Sequence, residues 1–318
     1  MHAMSPAAIL SLLRRRPKGF SYLRYQRWAI GLYRGPTLDA LVIHPQVINP
    51  VLTAEDITDV EARFVADPFL LRTKTEFLMF FEVMNRTDRK GDIGLARSPD
   101  GLAWTYAGII LDAPFHLSYP YAFEWDGTVY LLPETIEPAA VTLYVAETFP
   151  LGWTPRQTLL SGRYVDPSIA RFHDRWWLFV GEGGNDTLRL FCSDTLAGPF
   201  REHPRSPIVA GDRCAARPAG RVFVLGDRVI RSAQICEPIY GTGVALFEVT
   251  TLTPDTYEER PLGTVLAGCG SGWNAAGMHH LDAIKLDDDS FLAAVDGWHA
   301  ARRVPWRRTR TKGGRSHA

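Results

Sequence analysis

The chain has 318 residues, of which 46% are hydrophobic and 22% charged, and equal numbers of acidic and basic side chains give a formal net charge of zero. This composition is typical of a globular protein and lacks the basic excess of nucleic-acid-binding domains, so we expect no nucleic-acid partner. No stretch reaches the roughly 18 apolar residues of a membrane-spanning helix. The 4 cysteines show no Cys-x-x-Cys or metal-binding spacing, which favours free thiols in a reducing compartment, and we expect a cytoplasmic protein.

The N-terminal region is predicted in two parts. In residues 1–23 an apolar run precedes the arginines at 14–16, the reverse of the order in a secretory signal, so we expect a helical or disordered lead. Arg27–Arg34 alternates between polar and apolar residues as a strand does. We predict that this strand pairs into the last sheet and closes the fold, because closure leaves no free sheet edge.

From about residue 60 the chain repeats one plan: a residue before proline, a strand, a polar turn and a second strand. The aligned pre-proline residues form what we call the first column: Asp67, Tyr119, Asp166, Arg217 and His280, with leucine in place of proline in the last unit. Successive members are about 50 residues apart, and a fixed period of this length with two or more strands per unit is typical of a β-propeller. The sequence therefore predicts an all-β protein in which residues 24–300 form a five-bladed β-propeller.

The second strand of each unit ends on a polar residue. These residues form the second column: Glu82, Glu134, Glu182, Gln234 and Asp296. In a propeller blade the innermost strand starts at one face of the disc and the second strand returns to it, so we expect both columns at one mouth of the central channel. The convergence of carboxylates, a guanidinium, a tyrosine and histidines predicts a functional site there.

The outer parts of the units and the C-terminus carry weaker signals. Each unit continues with two outer strands, and the outermost strand of the third unit is predicted at Arg205–Ile208. Residues 301–318 are strongly basic with few apolar partners, and we expect a disordered tail. Such a tail either makes peripheral contact with an anionic membrane surface or keeps the protein in solution.

Several motifs resemble a known family, the N-terminal domain of plant glucosamine inositolphosphorylceramide transferases and its stand-alone bacterial relatives. The motifs that carry the resemblance are Arg63–Phe69, Phe80–Glu82, His116–Pro120, Leu132–Glu134, Ala216–Gly220, Gln234, Tyr240–Gly241 and Gly277–His280. In the plant proteins the transferase chemistry is assigned to a separate C-terminal domain. The resemblance therefore implies a propeller fold, a carbohydrate context and a glycosyltransferase as a possible partner.

More distantly, the five-fold pattern is similar to family 43 glycoside hydrolases. That similarity implies Asp67 as the catalytic base and Asp166 as the aspartate that tunes and orients. The general acid of those enzymes falls on Arg217–Pro218, and arginine cannot donate a proton at working pH. Glycoside hydrolysis needs two carboxyl groups, so we predict Glu134 as the acid, with Glu182 and Glu237 as the next candidates.

Several other column residues, together with Glu237 and His279, are predicted to bind the ligand, a saccharide or a sugar phosphate. The predicted binding residues are Glu82, Tyr119, Glu182, Arg217, Gln234, Glu237, His279 and His280. Arg217 either neutralises a carboxylate or clamps a phosphate or an acidic sugar. Alternation along a strand predicts that His279 and His280 face opposite sides, one toward the channel. No cofactor or metal ligand is predicted, although the histidines would suit an axial ion.

Two functions of different classes remain open. In the first, the protein is a glycosidase-like enzyme that acts on a bacterial glycan or glycoconjugate. In the second, it is a non-catalytic module that binds an acidic or phosphorylated sugar in polysaccharide or glycolipid biosynthesis. A third interpretation is purely structural, because an aspartate before proline can hold the start of an inner strand through side-chain to backbone hydrogen bonds.

Overall fold

The computed structural model describes residues 23–303, with side chains described for residues 26–300. The predictions for the N-terminal lead and for the basic tail lie largely outside the described residues. Within the described range the chain forms strands and one short 3-10 helix, Ala54–Asp56. No helix between residues 23 and 303 is long and apolar enough to cross a membrane.

The strands form five separate sheets, which we call blades 1 to 5. In chain order, the first two strands are β1 (Leu23–Gly35) and β2 (Val42–Ile43). Blade 1 contains β3 (Ala62–Arg72), β4 (Phe77–Asn85), β5 (Lys90–Ser98) and β6 (Thr105–Leu111), and blade 2 contains β7 (Ser118–Trp125), β8 (Thr128–Glu134), β9 (Ala140–Thr148) and β10 (Leu151–Ser161). Blade 3 contains β11 (Val165–Phe172), β12 (Arg175–Gly181), β13 (Thr187–Ser193), β14 (Arg201–Glu202) and β15 (Val209–Ala210). Blade 4 contains β16 (Phe223–Leu225), β17 (Arg228–Ile235), β18 (Gly243–Leu252) and β19 (Tyr257–Ala267), and blade 5 adds β20 (Leu281–Lys285) and β21 (Phe291–Arg303) to β1 and β2.

Blade 5 is built from both ends of the described chain, in the order β2, β1, β21, β20. The N-terminal strand therefore pairs beside the last strand, and the predicted closure of the ring is confirmed. Closure of this kind ties the first and last blades together by backbone hydrogen bonds and protects their edges. The predicted all-β, five-bladed propeller is likewise confirmed.

The hydrophobic core lies between neighbouring blades. One cluster joins blades 1, 2 and 3, and includes Phe69, Tyr119 and Ile169. Three further clusters join blade 3 to blade 4, blade 4 to blade 5, and blade 5 to blade 1. Every blade thus buries both faces against its neighbours, which explains why their strands are rich in aromatic and β-branched residues.

The inner strands of blades 1, 2 and 3 share a bulge at the first-column residue. Asp67, Tyr119 and Asp166 have φ values of 53°, 49° and 49°, and each precedes a proline. The pairing of β3 with β4 accordingly breaks between Ala66 and Phe69, and β7 and β11 break in the same way. Proline has no N–H for the sheet ladder, and non-glycine residues in this conformation store strain that is typical of functional sites.

A buried ion pair joins four blades farther along the inner strands. Arg221 Nε donates to Asp282 Oδ1 at 2.7 Å, and Arg221 Nη2 donates to the carbonyls of Ala122 at 2.9 Å and Leu70 at 3.2 Å. The N–H of Leu70 also donates to Asp282 Oδ2 at 2.6 Å. This ion pair fixes the inner strands to one another beyond the first-column residues.

The outer edge of blade 3 differs from the prediction. Instead of one strand at Arg205–Ile208, the two short strands β14 and β15 pair with different halves of β13. Pro204 and Pro207 lie between them and offer no amide hydrogen. The edge strand is therefore interrupted at these prolines.

Candidate functional site

The two columns converge on one group of buried side chains, which we call the axial cluster. Its members are Asp67, Glu82, Glu134, Asp166, Arg217, Gln234, His279, His280 and Asp296. They come from all five blades and from chain positions up to 229 residues apart. The cluster exists because each blade delivers the start of its inner strand and the end of its second strand to the same place.

Carboxylates of the cluster accept backbone N–H groups from the neighbouring blade. The N–H of Asp67 donates to Asp296 Oδ2 at 3.0 Å, and the N–H of Tyr119 donates to Asp67 Oδ2 at 3.2 Å. The N–H of Asp166 donates to Glu134 Oε2 at 3.1 Å. One oxygen of each acceptor therefore holds a bulge in place, which is the structural role that an aspartate before proline suggested.

Asp67 has a second oxygen that this role does not use. Its Oδ1 is buried without a hydrogen-bond partner and lies 3.6 Å from both His279 Nε2 and His280 Nδ1. Burial raises the pKa of Asp67 to about 7, against the lowering effect of His279, and the charges of Asp296 and Asp166 raise it further. A carboxyl group with a free oxygen and a pKa near neutrality is suited to general base chemistry.

The two histidines do not face opposite sides, as strand alternation predicted. Both ring edges point at Asp67, because His279 and His280 precede β20 and lie outside the strand. Burial disfavours the charged form of His279, but the contact of its Nδ1 with Asp296 Oδ1 at 2.7 Å raises its pKa above the ordinary value. Burial lowers the pKa of His280 to about 3, so this ring is neutral.

Arg217 neutralises a carboxylate, one of the two roles predicted for it. Its Nε and Nη2 donate to Asp166 Oδ2 and Oδ1 at 2.6 Å and 3.3 Å, and its Nη1 donates to Asn185 Oδ1 at 2.7 Å. Gln234 Nε2 donates to Asp166 Oδ2 at 2.9 Å. Both oxygens of Asp166 are thus occupied, whereas Asp67 keeps one oxygen without a hydrogen-bond partner.

Two glutamates complete the cluster as candidate acids. Burial and the charge of Asp166 raise the pKa of Glu134 well above its ordinary value, although Arg217 lies 3.6 Å away and lowers it. Burial and the charge of Asp67 raise the pKa of Glu82 in the same direction. Both shifts favour the protonated carboxyl group, which is the state that a general acid requires.

Two predicted site residues, Glu182 and Glu237, are not brought into the cluster, and the hydroxyl of a third, Tyr119, is directed elsewhere. Glu182 follows the end of β12, is 38% exposed and forms an ion pair with Arg189 at 2.5 Å. Glu237 lies in the exposed loop after β17. The Tyr119 side chain is fully buried, and its hydroxyl donates to the Gly220 carbonyl at 2.8 Å and accepts the Gly220 N–H at 2.7 Å. The Tyr119 hydroxyl is thus engaged by Gly220, while its ring packs edge-on against His280 of the cluster at a centroid distance of 5.3 Å.

The sequence prediction of the site missed Asp296, Trp28 and Tyr240. The Trp28 ring stacks on His279 with a centroid distance of 4.0 Å, and Tyr240 lies 5.1 Å from the same ring. Asp296 was present in the second column. Trp28 belongs to the strand predicted to close the last blade, which also carries the histidines. The predicted closure therefore already indicated that Trp28 would lie near them.

Asp67, His279 and Asp296 form the group in the described range whose donor atoms, all within 4.8 Å of one another, could hold a metal ion. An ion bound to both His279 and Asp296 would keep their ligand atoms roughly 3.4 Å apart at usual bond lengths. Their Nδ1 and Oδ1 atoms are 2.7 Å apart, which is a hydrogen-bond distance. The His279 Nδ1–Asp296 Oδ1 contact is therefore a hydrogen bond, and an ion held by this group would be bound through other atoms of the three residues.

Solved structures with the same fold are glycoside hydrolases. An exo-β-1,3-galactanase from Clostridium thermocellum aligns with a TM-score of 0.57 at 14% identity, over 71% of this chain and 54% of that one. A thermostable family-43 glycoside hydrolase aligns with a TM-score of 0.55 at 14% identity, over 77% and 92%. The catalytic domain of a Coprinopsis cinerea family 62 α-L-arabinofuranosidase gives 0.54 at 14% identity, over 81% and 84%. The chain is thus a five-bladed propeller of the glycoside hydrolase family 43 type in fold.

The sequence relationship is more specific than the fold. The family model for glucosamine inositolphosphorylceramide transferase 1, N-terminal, matches residues 27–298, and the chain belongs to this family. The rice (Oryza sativa subsp. japonica) glucosamine inositolphosphorylceramide transferase 1 is 34% identical over 297 residues, covering 85% of this chain and 40% of the relative. The Arabidopsis thaliana protein of the same name is 33% identical over 264 residues, covering 79% and 34%. The chain spans well under half the length of these relatives, and the resemblance predicted from its motifs is confirmed.

Proposed function

We propose that the protein is a carbohydrate-active enzyme of the glycosidase type, with Asp67 as its general base. The observation that carries this proposal is the free, buried Oδ1 of Asp67 on a residue with strained backbone and a pKa of about 7. A purely structural aspartate would need only the oxygen that accepts the Tyr119 N–H. Strain, a perturbed pKa and an unused oxygen on one residue together favour chemistry.

The proposed reaction assigns one role to each group. Asp67 Oδ1 accepts a proton from the water that attacks the anomeric carbon of the sugar, while Glu134 gives its proton to the departing glycosidic oxygen. Arg217 pairs with the Asp166 carboxylate and holds it in place. Glu134 accepts the backbone N–H of Asp166 and thereby supports the bulge at that residue. His279, fixed by Asp296, orients the water beside Asp67.

The charge of the cluster favours a neutral or an amino sugar over a phosphorylated one. Its five carboxyl groups face one guanidinium, and that guanidinium is already engaged with Asp166 and Asn185. A phosphate would find no unengaged cation among the described cluster residues, because the guanidinium is held by Asp166 and the His279 ring by Asp296. The relatives named above carry glucosamine in their names, and we propose that a glucosamine-type ammonium group is the substituent this protein recognises.

The test is a turnover screen with aryl glycosides and oligosaccharides that include glucosamine-terminated substrates. Asp67→Asn should abolish turnover and leave saccharide binding within roughly threefold, because one amide oxygen still accepts the Tyr119 N–H. Glu134→Gln should also abolish turnover on substrates with poor leaving groups. Asp174→Asn, which changes an exposed turn carboxylate, is the matched control. Full turnover by Asp67→Asn would overturn the assignment.

A second function, saccharide binding without catalysis, is favoured by one specific observation. Arg217 falls at the sequence position of the general acid in the family 43 glycoside hydrolases that the chain resembles. Its guanidinium donates to both oxygens of Asp166. In this case the protein would bind its saccharide and support a separate glycosyltransferase, as the greater length of the relatives suggests. Binding of a glucosamine-terminated oligosaccharide with no product from any substrate in the screen would favour this function over the first.

A further inference from the structure

The loop that joins β17 to β18, residues 236–242, lies over the axial cluster. It begins just after Gln234, whose amide donates to Asp166. Thr242 closes the loop, because its N–H donates to the Ile235 carbonyl at 3.0 Å. The loop is therefore a short turn with fixed ends, placed at the site by the second strand of blade 4.

Tyr240 extends from this loop across the cluster. Its ring lies 5.2 Å from the guanidinium carbon of Arg217 and 5.1 Å from the ring of His279, at an interplanar angle of 79°. Arg217 holds Asp166, whereas His279 faces Asp67. The phenol ring thus spans both halves of the cluster, and it is partly exposed.

The neighbours of Tyr240 fix its position. Gly241 has a φ of 75°, and a Cβ atom there would lie 2.5 Å from the Trp28 ring, so this residue must be glycine. The Gly241 carbonyl accepts a hydrogen bond from Trp298 Nε1 at 2.9 Å. Trp28 itself is only 4% exposed beneath the loop. Tyr240 is thus the aromatic ring that this packing presents outward over the cluster.

We infer that Tyr240 determines specificity by packing against one face of the bound sugar ring. This inference rests on the proposed carbohydrate function. The C–H face of a pyranose is apolar and suits an aromatic surface, whereas its polar substituents suit the carboxyl groups below. Burial raises the pKa of Tyr240, so the phenol is neutral and adds no charge to the site. Tyr240 thereby selects sugars whose apolar face and polar groups lie on opposite sides.

The experiment compares the wild type with Tyr240→Ala, Tyr240→Phe and Tyr130→Ala in calorimetric titrations. The probes are glucosamine, N-acetylglucosamine, galactose and arabinose, each also tested as a β-linked disaccharide. Tyr130 is a partly buried tyrosine that stacks on Phe123 in blade 2, and it serves as the matched control. Tyr240→Ala should weaken binding of the preferred sugar roughly five- to tenfold and flatten the preference among the four sugars. Tyr240→Phe should stay within about twofold, as should Tyr130→Ala.

Each outcome decides the inference. Equal affinity and equal preference in the wild type and in Tyr240→Ala would overturn it, while loss of turnover in Asp67→Asn would still leave the proposed function standing. Weakening by Tyr240→Phe as large as by Tyr240→Ala would also overturn ring packing, because the hydroxyl would then be the recognised group. If none of the probes binds the wild type, both the inference and the proposed function are wrong. Should Tyr240→Ala fail to fold, Tyr240→Leu replaces it, because leucine keeps the buried volume but offers no flat ring.

Discussion

Replacing Asp67 by asparagine should stabilise the folded protein near pH 8 while it abolishes turnover. The pKa of this carboxyl group rises from 3.8 to about 7 on folding. Between these values the unfolded chain releases the proton and the folded chain keeps it, so the folded state loses stability as the pH rises. Asparagine carries no charge in either state and avoids this loss.

The magnitude follows from the size of the shift. Each pKa unit corresponds to about 1.4 kcal/mol, so the ionisation of Asp67 costs about 4 kcal/mol of folding free energy above pH 7. At pH 5 the same linkage costs only about 1–2 kcal/mol, and below pH 4 it disappears. We therefore expect Asp67→Asn to exceed the wild type in free energy of unfolding by an amount that grows with pH.

The assay is urea denaturation followed by tryptophan fluorescence at pH 5 and pH 8. Asp166→Asn is the control with the opposite sign, because it removes the partner of the buried Arg217 and should cost about 3–5 kcal/mol. The reasoning is refuted if Asp67→Asn is less stable than the wild type at pH 8. It is equally refuted if the difference between the two proteins is the same at both pH values.

Three further predictions concern the groups that hold the blades together, each measured as a free energy of unfolding. Arg217→Ala should destabilise by about 3–5 kcal/mol because it leaves a buried carboxylate unpaired, and Arg217→Lys should recover less than half of this because lysine cannot make the two-pronged contact. Arg221→Leu should cost a similar amount, of roughly 3–5 kcal/mol, whereas adding Asp282→Asn to it should cost little more, because the charge left alone is then removed. Gly220→Ala should prevent stable folding, because a Cβ atom would lie 1.9 Å from a backbone carbonyl of the last blade. Gly211→Ala, which also has positive φ but nothing within 4 Å, should cost only about 1 kcal/mol.

These predictions have clear contrary outcomes. A lysine that fully replaces Arg217 would show that charge alone, without the planar contact, holds Asp166. A double variant of Arg221 and Asp282 that loses the sum of the two single effects would show that the two residues act independently. Equal behaviour of the two glycine variants would show that contact with the last blade is unimportant at Gly220.

The sequence allowed the fold and most of the cluster to be predicted because the repeat fixes where each blade returns to the axis. Asp67, Glu134, Asp166, Arg217 and Gln234 all follow from that spacing, since a position in the repeat determines a position in the ring. The repeat spacing predicts where a Cα atom lies in the ring. The direction of the side chain depends on the local backbone conformation and on its hydrogen-bond and ion-pair partners.

The remaining errors have such local causes. Glu182 turns outward because Arg189 on the next strand of its own blade offers it a partner. His279 and His280 both reach Asp67 because they precede their strand, so alternation does not apply. Tyr240 was missed because it lies in a loop whose path is set by Trp28 and Trp298, which are far away in the chain. A periodic pattern in the sequence cannot predict such a contact.

The bonds from carboxylate to amide between blades also bear on how this family can be interpreted. A relative that had lost all turnover would still need an acceptor at the position of Asp67 Oδ2 to hold the neighbouring bulge, and a partner at Asp166 to hold Arg217. Natural selection for folding alone would therefore preserve the carboxylate of Asp166, whereas at position 67 asparagine would serve the fold as well as aspartate. Retention of Asp166 across homologues is consequently poor evidence of activity, and exchange of Asp67 for asparagine would mark relatives that have lost turnover and kept the fold.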